Sequence, residues 1–87
     1  MIWASKLTSA RPTSDDAGEL AAEAFIESYV CWREACEDVR AAYRHWGSCK
    51  PPQRGLAFDS YLAALDREEE AARIHSDRAQ WVRAVKR

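Results

Sequence analysis

Two histidines, three cysteines and a run of glutamates carry most of the reactive chemistry open to this 87-residue chain. Helical proteins that hold two irons or manganeses use Glu-x-x-His pairs, whose side chains share one face and reach one ion. Here Ala42 stands three residues before His45 and Ala72 three before His75, so the pair is missing. His45 and Cys49 could add ligands to a zinc ion shared between copies, but no Cys-x-x-Cys or His-x-x-x-His spacing accompanies them. No metal or other cofactor is expected. His45 suits a helix C-terminus, where the dipole favours a cation, and His75 suits the edge of a core. Glu68, Glu69 and Glu70, with Asp66 nearby, would have to converge in a cleft with split acidities to do acid–base work. Successive helical positions instead spread three side chains over about 200°. That is a solvated face, on which Glu69 and Arg73 are spaced to support one another.

Nucleophilic and phosphate chemistry have no better footing. The chain has no Gly-x-Ser-x-Gly elbow and no glycine-rich phosphate cradle. Cys31 and Cys36 diverge by about 140° on a helix and cannot bridge. Cys36 falls on an apolar seam and Cys31 off it. Cys49 is the thiol placed to be reached, and its oxidation could join two chains. An odd set of three cysteines otherwise reads as reduced thiols in the cytoplasm. Nucleic acid is the better functional rival, through a basic cluster of Arg40, Arg44, Lys50 and Arg54 with Tyr43 and Trp46 available for stacking. Against it stand a formal net charge of −1, which exerts no global pull on a polyanion, and the fit of both aromatics to the seam.

The elements that must position these residues are helical. Glycine and proline number three each, while alanine, arginine, glutamate and leucine, all good helix formers, dominate. Apolar residues make up 47% and charged residues 31% of the chain, a globular balance and one domain at most. Residues 1–13 read as irregular, with Pro12 discouraging a helix through Arg11; Ile2, Trp3 and Leu7 would pack back onto the helices or, as the alternative, form a hook for a partner. Met1 to Leu7 lack the form of a signal peptide, and no apolar run approaches the roughly 18 residues that span a bilayer. Ser14 offers an N-cap, with Asp15, Asp16 and Glu19 meeting the helix dipole. A first helix over about 15–46 would run roughly 45 Å and stop at Gly47 in a left-handed conformation. Residues 47–55, with Pro51 and Pro52, form the turn, and a second helix spans about 56–85. So short a connection makes the helices antiparallel neighbours.

Phe25, Tyr29, Trp32, Cys36, Val39, Tyr43 and Trp46 recur at alternating spacings of 4 and 3, a heptad seam. The flanking positions Ala21, Ser28, Ala35 and Ala42 are all small. On the second helix Phe58, Tyr61, Leu62, Leu65, Ala72 and Ala79 share a face. The expected register sets Leu65 opposite Cys36, Ala72 opposite Tyr29 and Ala79 opposite Ala22, large against small as packing needs, and brings Glu68 and Glu69 to Arg33 as an ion pair. A second stripe on that helix, with Leu56, Ala63, Ile74, Trp81 and Val85, cannot be covered by the same neighbour. A lone hairpin is also a poor core for its size. Both points predict an all-α antiparallel two-helix hairpin that self-associates into a four-helix bundle, with Leu56, Ile74, Trp81 and Val85 as the protein interface.

The stretches Cys31-Trp-Arg-Glu-Ala-Cys-Glu-Asp-Val-Arg-Ala-Ala-Tyr-Arg-His-Trp46 and Ala57-Phe-Asp-Ser-Tyr-Leu-Ala-Ala-Leu-Asp-Arg-Glu-Glu69 resemble small, uncharacterised two-helix proteins of high-GC actinobacteria. The resemblance implies a cytosolic helical protein and brings no activity. Trp46-Gly47 in the turn is also similar to the Trp-x-Gly motif of secreted type VII export hairpins. The intervening residue is absent, however, and Tyr61 is followed four residues on by Leu65 where that family's export signal has an acid. The sequence therefore reads as a non-enzymatic structural or protein-interaction module of the cytoplasm, acting as a homodimer or on another protein. It has no evident small-molecule substrate or membrane association. Nucleic-acid binding and a secreted hairpin are the alternatives.

Overall fold

In a computed structural model that describes residues 14–86, with side chains from Asp16 onward, the chain forms a hairpin of two long helices. Helix α1 spans Ser14–Ser48 and α2 spans Arg54–Val85. No strand occurs among the described residues. Expectations for Ile2, Trp3 and Leu7 and for capping by the Ser14 side chain lie outside them.

The turn is shorter than expected because Gly47 does not stop α1. No glycine takes a positive φ, and the helix continues to Ser48. There the Cys49 N–H donates to the carbonyls of His45 (3.0 Å) and Trp46 (3.3 Å), and the Ser48 hydroxyl donates to His45 O at 3.1 Å. These bonds satisfy the carbonyls that a left-handed glycine would otherwise have helped to close off. Beyond the prolines, Gln53 N–H donates to Lys50 O at 3.0 Å and Ala57 N–H to Gln53 O at 3.0 Å. The turn thus passes directly into α2, which begins at Arg54 rather than near 56.

The seam between the helices also departs from expectation. Its most enclosed residues are small: Ala21, Ala57 and Ala64, with Ser28 beside them, and no large side chain is fully buried. The inner side of α1 is Ala21, Phe25, Ser28, Trp32, Ala35, Val39, Ala42 and Trp46, all buried or half-buried. Tyr29 and Tyr43, expected inside, are 46% and 56% exposed. Phe25, Trp32, Val39 and Trp46 do belong to the seam, but their heptad companions are the small flank rather than Tyr29, Cys36 and Tyr43. The reason is steric. An alanine line lets two helix backbones approach closely, which increases close-range dispersion contacts along both helices. A tyrosine line would hold the helices apart and bury hydroxyls that prefer water.

Helix α2 answers with the same rhythm. Ala57, Tyr61, Ala64, Glu68, Ala71, His75, Val82 and Val85 face α1, buried or half-buried, whereas Phe58 and Leu62 are 37% and 43% exposed. Ser28 Oγ lies 2.9 Å from His75 Nδ1, and a Cβ on Gly18 would sit 3.8 Å from Val85 Cγ1. Carried along the hairpin, this register sets Ala21 opposite Val82, Trp32 opposite Ala71, Val39 opposite Ala64 and Trp46 opposite Ala57. Large still meets small, but not in the expected pairs: Tyr29 comes level with Ile74 rather than Ala72.

The expected ion pair of Arg33 with Glu68 or Glu69 is not formed. Glu68 is instead drawn into the seam by the Trp32 indole. All ion pairs among the described residues stay within one helix: Arg40 with Glu37, and Arg73 with Glu70 and Asp77. Arg73 therefore bypasses Glu69, because its forked guanidinium bonds Glu70 through two nitrogens and still reaches Asp77.

Candidate functional site

The densest polar constellation lies in mid-hairpin. Ser28 is buried, and its hydroxyl donates to Phe25 O at 2.8 Å, the back-bonding habit of a serine inside a helix. That uses its one proton, so the 2.9 Å contact with His75 Nδ1 is made by the imidazole donating to the serine oxygen. A histidine that donates through this nitrogen cannot take the serine proton, and the pair is therefore not an activated nucleophile. His75 is held in an aromatic cage, stacked on Trp32 (5.7 Å between centroids, 11°) and close to Phe25 (4.7 Å) and Tyr29 (5.7 Å). The acid that might have oriented it is engaged elsewhere: Trp32 Nε1 donates to Glu68 Oε2 at 2.8 Å. Every buried side-chain polar atom among the described residues has a partner. The cluster ties the two helices in register.

At the turn, Cys49 Sγ lies 3.4 Å from His45 Nε2. Two potential ligands on an open helix end do not make a metal site, and no group of three metal-binding side chains assembles among the described residues. The three cysteines are free: Cys31 exposed, Cys36 and Cys49 half-buried. The basic residues of the nucleic-acid alternative differ in their surroundings. Arg40 is tied to Glu37. Arg44 and Lys50 are exposed. Arg54 donates to Cys49 O at 3.3 Å and lies 5.3 Å over the Trp46 ring. Trp46 is further covered by Phe58 (4.9 Å) and Tyr61 (5.5 Å), so little of it remains for a base.

What the hairpin does offer is apolar surface. By helical rotation from the seam, Tyr29, Cys36 and Tyr43 of α1 lie on the same side as Phe58, Leu65 and Ala72 of α2, with Leu62 at the margin. The ring contact of Tyr43 with Tyr61 (5.5 Å) joins the two helices there. The opposite side is a shallow groove of about 210 Å³ between Ala24, Ser28, Cys31, Ala71 and Ile74, with Glu27 and Arg78 also lining it. The four interface residues read from the sequence do not form one patch. Ile74 is half-buried in that groove and Trp81, 40% exposed, follows it along α2. Val85 turns toward Gly18 of α1, and Leu56, 72% exposed, stands near the turn.

Two features were missed: the small-residue seam and the aromatic face it leaves outside. Their signal was present, since Ala21, Ser28, Ala35 and Ala42 with Phe25, Trp32, Val39 and Trp46 form an unbroken heptad of their own, matched by Ala57, Ala64 and Ala71. Fold and surface together define the class, a two-helix hairpin with an uncovered aromatic side. The chain matches no protein family, no curated protein and no solved structure. No helix among the described residues is long and apolar enough to cross a membrane.

Proposed function

We propose that the protein is a non-enzymatic interaction module that works by helix–helix association, its aromatic face pairing with that of a second copy to complete a four-helix bundle. The observation that carries this reading is the inversion of burial. No large side chain is fully enclosed, while Tyr29, Tyr43, Phe58 and Leu62 stay 37–56% exposed on one side. A contiguous apolar patch of this kind is unusual on a chain that works alone, and burying it contributes about 25 cal/mol per Å². Aromatic anchors at the centre of such a patch dominate association energies.

Light scattering on a sizing column, across a dilution series with reductant present, is the test. The expected result is a dimer that Phe58→Glu converts to a monomer of unchanged helix content. Trp81→Ala is the companion variant. If it alone dissociates the dimer, the contact lies on the groove side, where the sequence placed it. A monomeric wild-type protein at every concentration would remove the reading.

A further inference from the structure

The association proposed above leaves open how two hairpins lie on one another, and the charges bordering the aromatic face decide between the two symmetric arrangements. Two helices of 35 and 32 residues, about 50 Å long with axes about 8–10 Å apart, give each hairpin a face of about 900 Å², close to the area a standard stable interface takes from each partner. Only full overlap of the faces uses it. Full overlap by a twofold axis is met in two ways: α1 over α1 with the turns at opposite ends, or α1 over α2 with the turns together.

The outer border of the face on α1 carries Arg33 and Arg40, which bracket Cys36. The border on α2 carries Glu69. Neither Arg33 nor Glu69 has an ion-pair or hydrogen-bond partner among the described residues, whereas Arg40 is held by Glu37. In the first arrangement, full overlap of Ser14–Ser48 and Arg54–Val85 centres the axis near Arg33 and Glu69, so Arg33 would face Arg33 and Glu69 face Glu69, like charge against like. In the second, the register set by Ser28–His75 and Gly18–Val85 brings Arg33 level with Glu69 of the second copy. The same register brings Tyr43 level with Ser60, between Phe58 and Leu62. We infer that two copies dock with their turns side by side, α1 of each lying on α2 of the other, and that Arg33 pairs with Glu69 across the contact. The ion pair that one chain does not make with itself is made twice between two.

Two measurements test this. In the first, Lys50→Cys is spin-labelled in a chain whose own three cysteines are replaced, and the distance between turns is read in the dimer. Adjacent turns give a separation within about 30 Å, and opposed turns one of about 45 Å or more. The second is a charge-exchange cycle that needs no cysteine replacement. Arg33→Glu and Glu69→Arg each weaken dimerisation, by about tenfold for the two symmetric pairs, and the double variant recovers it. A dimer with distant turns, or a double variant no better than either single one, overturns the arrangement and leaves association standing. A wild-type protein that stays monomeric overturns both.

Discussion

Trp32 shows how one side chain can settle a residue that the sequence assigns to solvent. Its indole nitrogen brings Glu68 into the seam through a bond to a charged acceptor, a class of hydrogen bond with a net worth of about 1.5–3 kcal/mol. Trp32→Phe removes the donor together with part of the ring stacked on His75, so it should cost at least about 1–2 kcal/mol in urea unfolding. Glu68→Gln retains an acceptor and should cost less. If Trp32→Phe costs as much in a Glu68→Ala background as in the wild type, packing and not the hydrogen bond holds the pair. On the outer surface, the hydrogen bond from Arg73 holds the Glu70 carboxyl below its ordinary value of 4.5. Its contribution is therefore present above that pH and lost as pH falls through the lower folded value. The group is fully solvated and the effect small. Wild-type melting temperature should fall slightly more steeply than that of Glu70→Gln as pH drops below 4.5, and parallel profiles would dismiss the contribution.

At the scale of the helices, local rules place both elements but misjudge the stop of α1 and the start of α2. Gly47 has the right type and place for a left-handed stop, yet it lies inside α1, and a Cβ added there would meet nothing within 4 Å. A glycine that caps would resist replacement, whereas a helical glycine exposed to solvent is a weak point of about 0.5–1 kcal/mol relative to alanine. Gly47→Ala should accordingly raise the melting temperature, and a lowered one would return the stop to residue 47. The orientation of each helix about its own axis was decided between two overlapping heptads. Both contain Phe25, Trp32, Val39 and Trp46. The one completed by alanines and Ser28 wins because α2 presents alanines at the matching positions.

For the whole molecule, the consequence of an alanine seam is that several large apolar groups, Tyr29, Tyr43, Phe58 and Leu62 among them, remain outside. Folding and association should then be linked, since a partner that binds only the folded hairpin stabilises it by mass action. The melting temperature is expected to rise with protein concentration over a hundredfold range, and to stop doing so in Phe58→Glu. Concentration-independent melting in the wild type would mean that the hairpin is stable without a second copy. The members of the aromatic face, Tyr29, Cys36 and Tyr43 with Phe58, Leu62 and Leu65, were visible in the sequence as part of an apolar stripe, but that stripe was assigned to the inside of the hairpin. The site was thus legible in its members and misplaced in its orientation.

Helical class, the number of helices, their antiparallel order and the position of the turn followed from the sequence alone. They depend on propensity, capping residues and prolines that act within a few positions of one another. Rotation, register and the fate of Glu68, His75, Tyr29 and Tyr43 did not, because each depends on which surface of one helix best fits the other. That comparison is made across the chain, between residues some forty positions apart. Only the folded pair shows that the small residues of each helix met the large ones of the other and left Tyr29 and Tyr43 facing outward.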